Sequence, residues 1–197
     1  MSELVLIRHG QSEWNRENRF TGWVDCCLSD AGVEEARKAG TALAGREFDV
    51  LYTSELRRAI DTAELLLDEM DHADLETQRA WEINERFYGA LTGRDKDEAR
   101  EEFGEEQVHI WRRSYDIPPP GGESLEHTAE RSVKYFEDEI LPRVAAGESV
   151  LVSAHGNSLR AIVMAIEGLS REEVMGLELP TGEPRIYAWD GESLVRD

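Results

Sequence analysis

Two apolar segments of the chain, VLIRHG at residues 5–10 and VLVSAHG at residues 150–156, end in the same His-Gly pair. Each reads as a buried parallel strand that stops at a histidine, with glycine allowing close approach of backbone or ligand. Parallel strands need crossover connections and cover on both faces, which points to an α/β sheet rather than an all-β or all-α fold. In open α/β sheets, ligands bind at the carboxyl ends of strands, so His9 and His155 are expected to converge on one pocket.

The remaining segments alternate to match. A loop covers residues 14–25, and Leu28-Ser29-Asp30 starts a helix that passes Ala36 and Ala39, reaches about Leu43 and ends at Gly45. A strand at 48–53 leads into a helix from Ser54 to Met70. Residues 91–113 read as two short helices broken at Gly104, and PPPGG at 118–122 is the strongest breaker in the chain. Ser124 is expected to cap a long helix carrying Leu125, Ala129, Val133, Phe136 and Ile140, which stops at Pro142 or shortly after. A helix with Leu159, Ile162, Val163 and Ile166 follows the strand at 149–154. SREE at 170–173 is a capping box for a last short helix, and 185–195 reads as a terminal hairpin turning at Asp190-Gly191. No repeat, low-complexity tract or linker interrupts the pattern. One domain spanning 1–197 is expected, a three-layer α/β/α sandwich with a mostly parallel central sheet.

Composition narrows the partners. Against 42 acidic residues stand 22 basic ones, a formal charge of -20, and such a surface repels nucleic acid and anionic lipid. Of the basic residues 19 are arginine and three lysine (Lys38, Lys96, Lys134), a skew read as adaptation to high salt, where screening shortens to about 3 Å at 1 M. An acidic protein of ordinary salt habit is the alternative. No apolar run approaches the roughly 20 residues that cross a bilayer. The start, MSELVLIRHG, shows neither a basic leader nor a cleavage site, so no secretory precursor is expected. Cys26 and Cys27 are adjacent and lack metal-type spacing, so no structural disulfide is expected and a cytoplasmic location fits.

Two histidines at strand ends suit either metal binding or nucleophilic catalysis. The five histidines show no HxH or HExxH spacing, so a metal is not expected. A neutral imidazole can instead attack phosphorus while nearby cations hold the negative charge of the transferring group. Arg8 adjoins His9 and supplies one cation. Arg57 and Arg58 follow another strand, and because helix neighbours point about 100° apart only one of them is expected to face the pocket. Flanking cations also favour the neutral form of His9.

The segment LIRHGQSEWNRENRFTGWVDCCLSDAGVEEA (6–36) closely resembles the amino-terminal signature of the cofactor-dependent phosphoglycerate mutases, within the histidine phosphatase superfamily. YTSELRRAIDTA (52–63), NERFYGALTGRDK (84–96), EEQVHIWRR (105–113), AHGNSLRA (154–161) and LPTGEP (179–184) match in order, so the resemblance covers nearly the whole chain. It implies a phosphoglycerate mutase-like fold and interconversion of 3- and 2-phosphoglycerate. It makes His9 the residue that becomes phosphohistidine, with Arg8, Arg58 and His155 around the transferring group. Arg58 rather than Arg57 matches the family's phosphate arginine, which directly precedes the alanine here numbered Ala59. Glu85 becomes the general acid and base, a role suited to a carboxyl partly withdrawn from water. Asn15 adds a phosphate hydrogen bond. Ser12, Thr21, Gly22, Tyr88, Lys96, Arg112, Arg113, Gly156 and Asn157 match positions that hold the substrate's phosphate, carboxylate and hydroxyl groups. Trp14, Trp23 and Trp111 are expected to pack loops. The implied primer is 2,3-bisphosphoglycerate, with no metal, and the implied partner is a small phosphorylated carboxylate; association with further copies of the chain stays open.

The chain departs from the longer members of the family in having only SYDIPPPGGE between Arg113 and the helix at Ser124, and in a short carboxyl end. Both differences bear on how the pocket is covered. Gln11 replaces a frequent glutamate and Phe87 a frequent histidine, changes expected to be tolerated. A phosphatase on the same scaffold, with water as acceptor, is the nearest rival. A non-catalytic phospholigand-binding protein is a distant one, disfavoured because His9 and Glu85 are both present.

Overall fold

The computed structural model describes residues 2–72 and 74–197. Along the chain it forms β1 (Glu3–Arg8), α1 (Glu13–Arg16), α2 (Asp30–Ala42), β2 (Val50–Thr53), α3 (Arg57–Glu69) and β3 (Thr77–Arg79). Then come α4 (Lys96–Phe103), α5 (Glu105–Arg113), α6 (Leu125–Tyr135), a π-helical stretch (Phe136–Ile140), α7 (Leu141–Ala145), β4 (Val150–Ala154), α8 (Gly156–Glu167), α9 (Arg171–Gly176), β5 (Pro184–Trp189) and β6 (Leu194–Arg196).

The six strands lie in the order β3-β2-β4-β1-β5-β6. The first four are parallel to one another, while β5 runs antiparallel to β1 and closes a hairpin with β6. Leu4 and Leu6 of β1 pack with Val150 and Val152 against Phe136, Ile140, Leu159 and Ile162 on one face of the sheet. Val5 and Ile7 point the other way, with Leu151, onto Ala39, Leu43, Ala63 and Leu66 of α2 and α3. Period-two alternation along strands buried on both faces thus builds the three layers. Because β1 and β4 are adjacent in register, with Arg8 opposite Ala154, their carboxyl ends bring His9 and His155 side by side.

Several boundaries differ from the sequence reading. The helix capped by Ser124 ends at Ala145, shortly after Pro142 as expected, but it is not one regular α-helix. The chain widens into the π-helical stretch, and Pro142 falls in the first turn of α7, where its missing N–H costs no hydrogen bond. The helix expected from Ser54 begins only at Arg57, because the Ser54 hydroxyl accepts the Leu56 N–H at 3.1 Å and holds the segment outside the helix. One turn of helix, α1, lies in the supposed loop 14–25, capped by Ser12. Strand β3 escaped notice because Thr77, Gln78 and Arg79 are all exposed and carry no apolar pattern.

Candidate active site

His9 leaves β1 with its backbone N–H still bonded to the Ala154 carbonyl at 3.0 Å, so the sheet itself sets its position. The next residues are pinned from α2 and α3. The Gly10 N–H donates to Thr62 Oγ1 at 3.0 Å, and Gln11 N–H donates to Glu35 at 2.8 Å. A Cβ on Gly32 would lie 2.1 Å from the Gln11 carbonyl oxygen, so this approach of helix to loop is open only to glycine. Gln11 uses its side-chain oxygen to accept from Ser29 Oγ at 2.9 Å.

The His9 Nδ1 lies 2.7 Å from the Gly10 carbonyl oxygen. A carbonyl only accepts, so Nδ1 carries the proton and Nε2 keeps its lone pair. Arg58 Nε donates to that lone pair at 3.2 Å, and the same guanidinium reaches the Val24 and Gly22 carbonyls at 2.9 and 2.7 Å. Burial, followed by the charges of Arg58 and Arg8, holds the His9 pKa well below its ordinary 6.5. His155, fully buried, stands with its ring centroid 4.9 Å from that of His9, and its pKa is lowered by burial and then by Arg58. Its Nε2 shares a 2.7 Å hydrogen bond with Ser54 Oγ, while its Nδ1 has no partner among the described residues. Only one of the two successive arginines turns inward: Arg58 is 1% exposed, whereas Arg57 lies outside and pairs with Asp61.

Glu85 faces this pair from the loop that follows β3. Its Oε1 accepts from the Arg86 N–H (2.7 Å), the Asn157 N–H (3.2 Å) and Asn157 Nδ2 (2.9 Å). All three donors converge on one oxygen, leaving Oε2 for the cavity. A Cβ on Gly156 would sit 3.4 Å from Arg8 Nε and 3.8 Å from Glu85 Oε2, in the space between base and cation.

These groups line a cavity of about 260 Å³. The sequence-predicted Arg8, His9, Asn15, Thr21, Gly22, Arg58, Glu85, Tyr88, Lys96, Arg112, Arg113, Gly156 and Asn157 all reach it. His155 lies just behind His9. Ser12 lies outside the cavity wall: it is fully buried and its hydroxyl accepts the Asn15 N–H at 3.2 Å, capping α1 next to Asn15, which faces inward. Arg19, Phe20, Arg160, Glu178 and Leu179 also line the wall and were not singled out. Arg19 and Phe20 stand inside the RFTGW match and Arg160 inside HGNSLRA, so the motifs carried them without assigning a role.

Seven cations face two carboxylates in this wall, a local reversal of the charge of the chain as a whole. Burial lowers the pKa values of Lys96 and Arg112, and it lowers that of Arg160, aided by Arg113 and Arg86, to about 10. Burial opposes ionisation of Tyr88, yet the charge and hydrogen bond of Arg86 together with the charge of Lys96 turn the net shift downward. Arg8 Nε and Thr21 Oγ1 are buried without partners among the described residues, and both belong to the cavity wall. Unpaired donors of this kind are costly unless an anion completes them, so the donor set fits a phosphorylated carboxylate.

Comparison with known proteins agrees with the geometry. Residues 4–195 match the histidine phosphatase superfamily (branch 1). The chain belongs to this superfamily. Among its relatives, a protein of Parvibaculum lavamentivorans named 2,3-bisphosphoglycerate-dependent phosphoglycerate mutase is 59% identical over 194 residues, 98% of this chain and 92% of its own. One of the same name from Azorhizobium caulinodans is 57% identical over 196 residues, covering 98% and 95%. Among solved histidine phosphatase folds, a phosphoglycerate mutase from Bacillus anthracis superposes with a TM-score of 0.84 at 22% identity, covering all of this chain and 91% of that one. A mycobacterial glucosyl-3-phosphoglycerate phosphatase superposes at 0.83 with 26% identity, covering 100% and 97%. The superfamily's fold is therefore that of this chain, with His9 in the cavity wall and His155 packed behind it.

Proposed function

We propose that the chain is a 2,3-bisphosphoglycerate-dependent phosphoglycerate mutase, interconverting 3- and 2-phosphoglycerate through a phosphohistidine at His9. The observation that carries this reading is a nucleophilic Nε2, its tautomer set by the Gly10 carbonyl, facing a cationic cavity that also holds the free oxygen of Glu85. The identity of more than half of all positions with proteins of that name supports it.

When bound, 2,3-bisphosphoglycerate supplies the phosphoryl group that primes His9. Arg8, Arg58 and Asn15 then hold its oxygens, and their charges and hydrogen bonds oppose the negative charge that builds up during transfer. The 2.7 Å hydrogen bond between Ser54 Oγ and His155 Nε2 holds the second imidazole against His9, from where it supports the same group. Glu85 Oε2 removes the proton from the substrate hydroxyl as that oxygen attacks the phosphorus, and returns a proton when the other hydroxyl leaves. Lys96, Arg112, Arg113, Thr21, Gly22 and Tyr88 would hold the carboxylate and the phosphate that is not reacting. Arginines supply positive charge around the transferring group.

Outside the site, we infer a cytoplasmic protein adapted to high salt. No helix among the described residues is long and apolar enough to cross a membrane, and the -20 charge with 19 arginines to three lysines supports the salt reading. The decisive assay follows 3-phosphoglycerate conversion with chelator present, with and without catalytic 2,3-bisphosphoglycerate, while free phosphate is measured in parallel. Primer-dependent isomerisation with little phosphate release, abolished in His9→Ala, is the expected result. Phosphate release without isomerisation would assign the site to a phosphatase instead.

A further inference from the structure

Arg131 lies on α6, outside the cavity wall, and its side chain is 9% exposed. All five of its guanidinium N–H groups are used. Nη1 donates to the carbonyls of Glu82 (2.6 Å) and Asn84 (2.9 Å), and Nη2 to that of Glu85 (2.9 Å) and to Glu123 Oε2 (2.8 Å). Nε donates to Glu123 Oε1 at 2.9 Å, completing a two-pronged pair. Glu123 in turn closes the far end of the loop: its Oε2 accepts the Phe87 N–H at 2.9 Å and its own N–H donates to the Phe87 carbonyl at 2.7 Å.

The peptide unit between Glu85 and Arg86 links this clamp to the chemistry. Its carbonyl takes Arg131 Nη2 and, at 2.5 Å, Trp23 Nε1. Its N–H, on the opposite edge of the same rigid plane, holds Glu85 Oε1. Rotation of that plane would take away the shortest of the three hydrogen bonds on Oε1, leaving only the two from Asn157, and would loosen the direction of Oε2. We propose that Arg131, seated on Glu123, is a positioning residue that fixes the proton-transferring oxygen of Glu85 by locking the 85–86 peptide. Lysine cannot replace it, since an ammonium has three donors and no planar fork to span three carbonyls and a carboxylate.

The inference rests on the reading of Glu85 as general acid and base, and the test separates the two. A glycerate hydroxyl is a poor leaving group and needs a proton, whereas the nitrophenolate of 4-nitrophenyl phosphate leaves without one. Single-turnover phosphorylation of His9 is measured with 2,3-bisphosphoglycerate and with 4-nitrophenyl phosphate for wild type, Glu85→Gln, Arg131→Met, Arg131→Lys and Glu123→Gln, with thermal unfolding as a check on folding. General acid catalysis contributes about 10²–10⁴-fold. Glu85→Gln is expected to lose about that much with the bisphosphate and less than about threefold with the aryl ester. The Arg131 variants are expected to show the same split at about 10²-fold, and Glu123→Gln a smaller one. A conservative lysine that fails to rescue supports the fork argument even if the methionine variant does not fold. Equal losses with both donors, or none, while Glu85→Gln splits them would overturn the positioning role alone. A Glu85→Gln variant without the split would overturn the acid–base reading and the proposal together.

Discussion

Mild acid should destabilise this protein through the two active-site histidines before any carboxylate takes part. His9 and His155 are buried beside arginines, and both pKa values lie well below 6.5 in the folded chain. Unfolding returns each to about 6.5, so below that pH the unfolded state binds up to two more protons and stability falls as pH falls. Lowering the pH from 6.5 to 5.5 strengthens unfolded-state protonation by about 1 kcal/mol per histidine, about 2 kcal/mol for the pair. Further acidification approaches about 2.7 kcal/mol per pH unit for as long as both stay neutral in the folded state. Carboxylates held low in the folded state, such as Glu76 beside Arg143, act in the same direction only as the pH nears their ordinary 4.5. The window from 6.5 to 5.5 therefore belongs to the imidazoles. Urea unfolding at fixed high salt across this window should show the loss, and His9→Asn and His155→Asn should each remove about half of it. A wild-type profile that is flat there, or a slope unchanged by either substitution, would refute the account.

Other consequences are equally direct. Ser54→Ala leaves His155 Nε2 buried without its partner, so a loss of about 1–3 kcal/mol in urea unfolding and slower His9 phosphorylation are expected. Gly32→Ala drives a methyl against the Gln11 backbone, and about 1–3 kcal/mol of destabilisation should come with a reduced kcat as the His9 loop shifts. Arg58→Ala should lower kcat by about 10²–10³-fold, whereas Arg57→Ala, which breaks only an exposed ion pair, should stay within about threefold. The salt reading is checked by unfolding in 0.1 and 2 M KCl: the midpoint should rise, and a protein equally stable and active in dilute buffer would end that reading.

The layers of the fold were legible because burial on both faces writes itself into composition. Residues 4–7 and 150–152 are apolar without a polar face, as strands covered on both sides of a parallel sheet are. Strand β3 was not legible for the converse reason. It lies at the sheet edge with Thr77, Gln78 and Arg79 exposed, and what makes it a strand is pairing with β2, a property of its neighbour. The π-helical stretch was likewise hidden. Proline's local preference marks the helix end near Pro142, but it says nothing of the widened turn before it, where Phe136 and Ile140 pack into the core.

The candidate site divides along a similar line. Residues that touch the cavity stand in dense motifs, and all but Ser12 and the recessed His155 of those singled out line its wall. Residues that hold those groups in place do not. Ser54 reaches His155 across 101 positions, Thr62 reaches Gly10 across 52, and Arg131 reaches the Glu85 loop across 46. Each acts largely through backbone groups or a single hydroxyl, so its local sequence resembles any capping serine or any arginine on a helix. The chemistry of such a residue is defined by the acceptor it meets. For Arg131 that acceptor set, three carbonyls turned away from regular structure, exists only once the loop between β3 and α4 has closed onto α6. The placement of the Glu85 carboxylate and its support are therefore specified together by tertiary packing, although Glu85 alone could be named in advance.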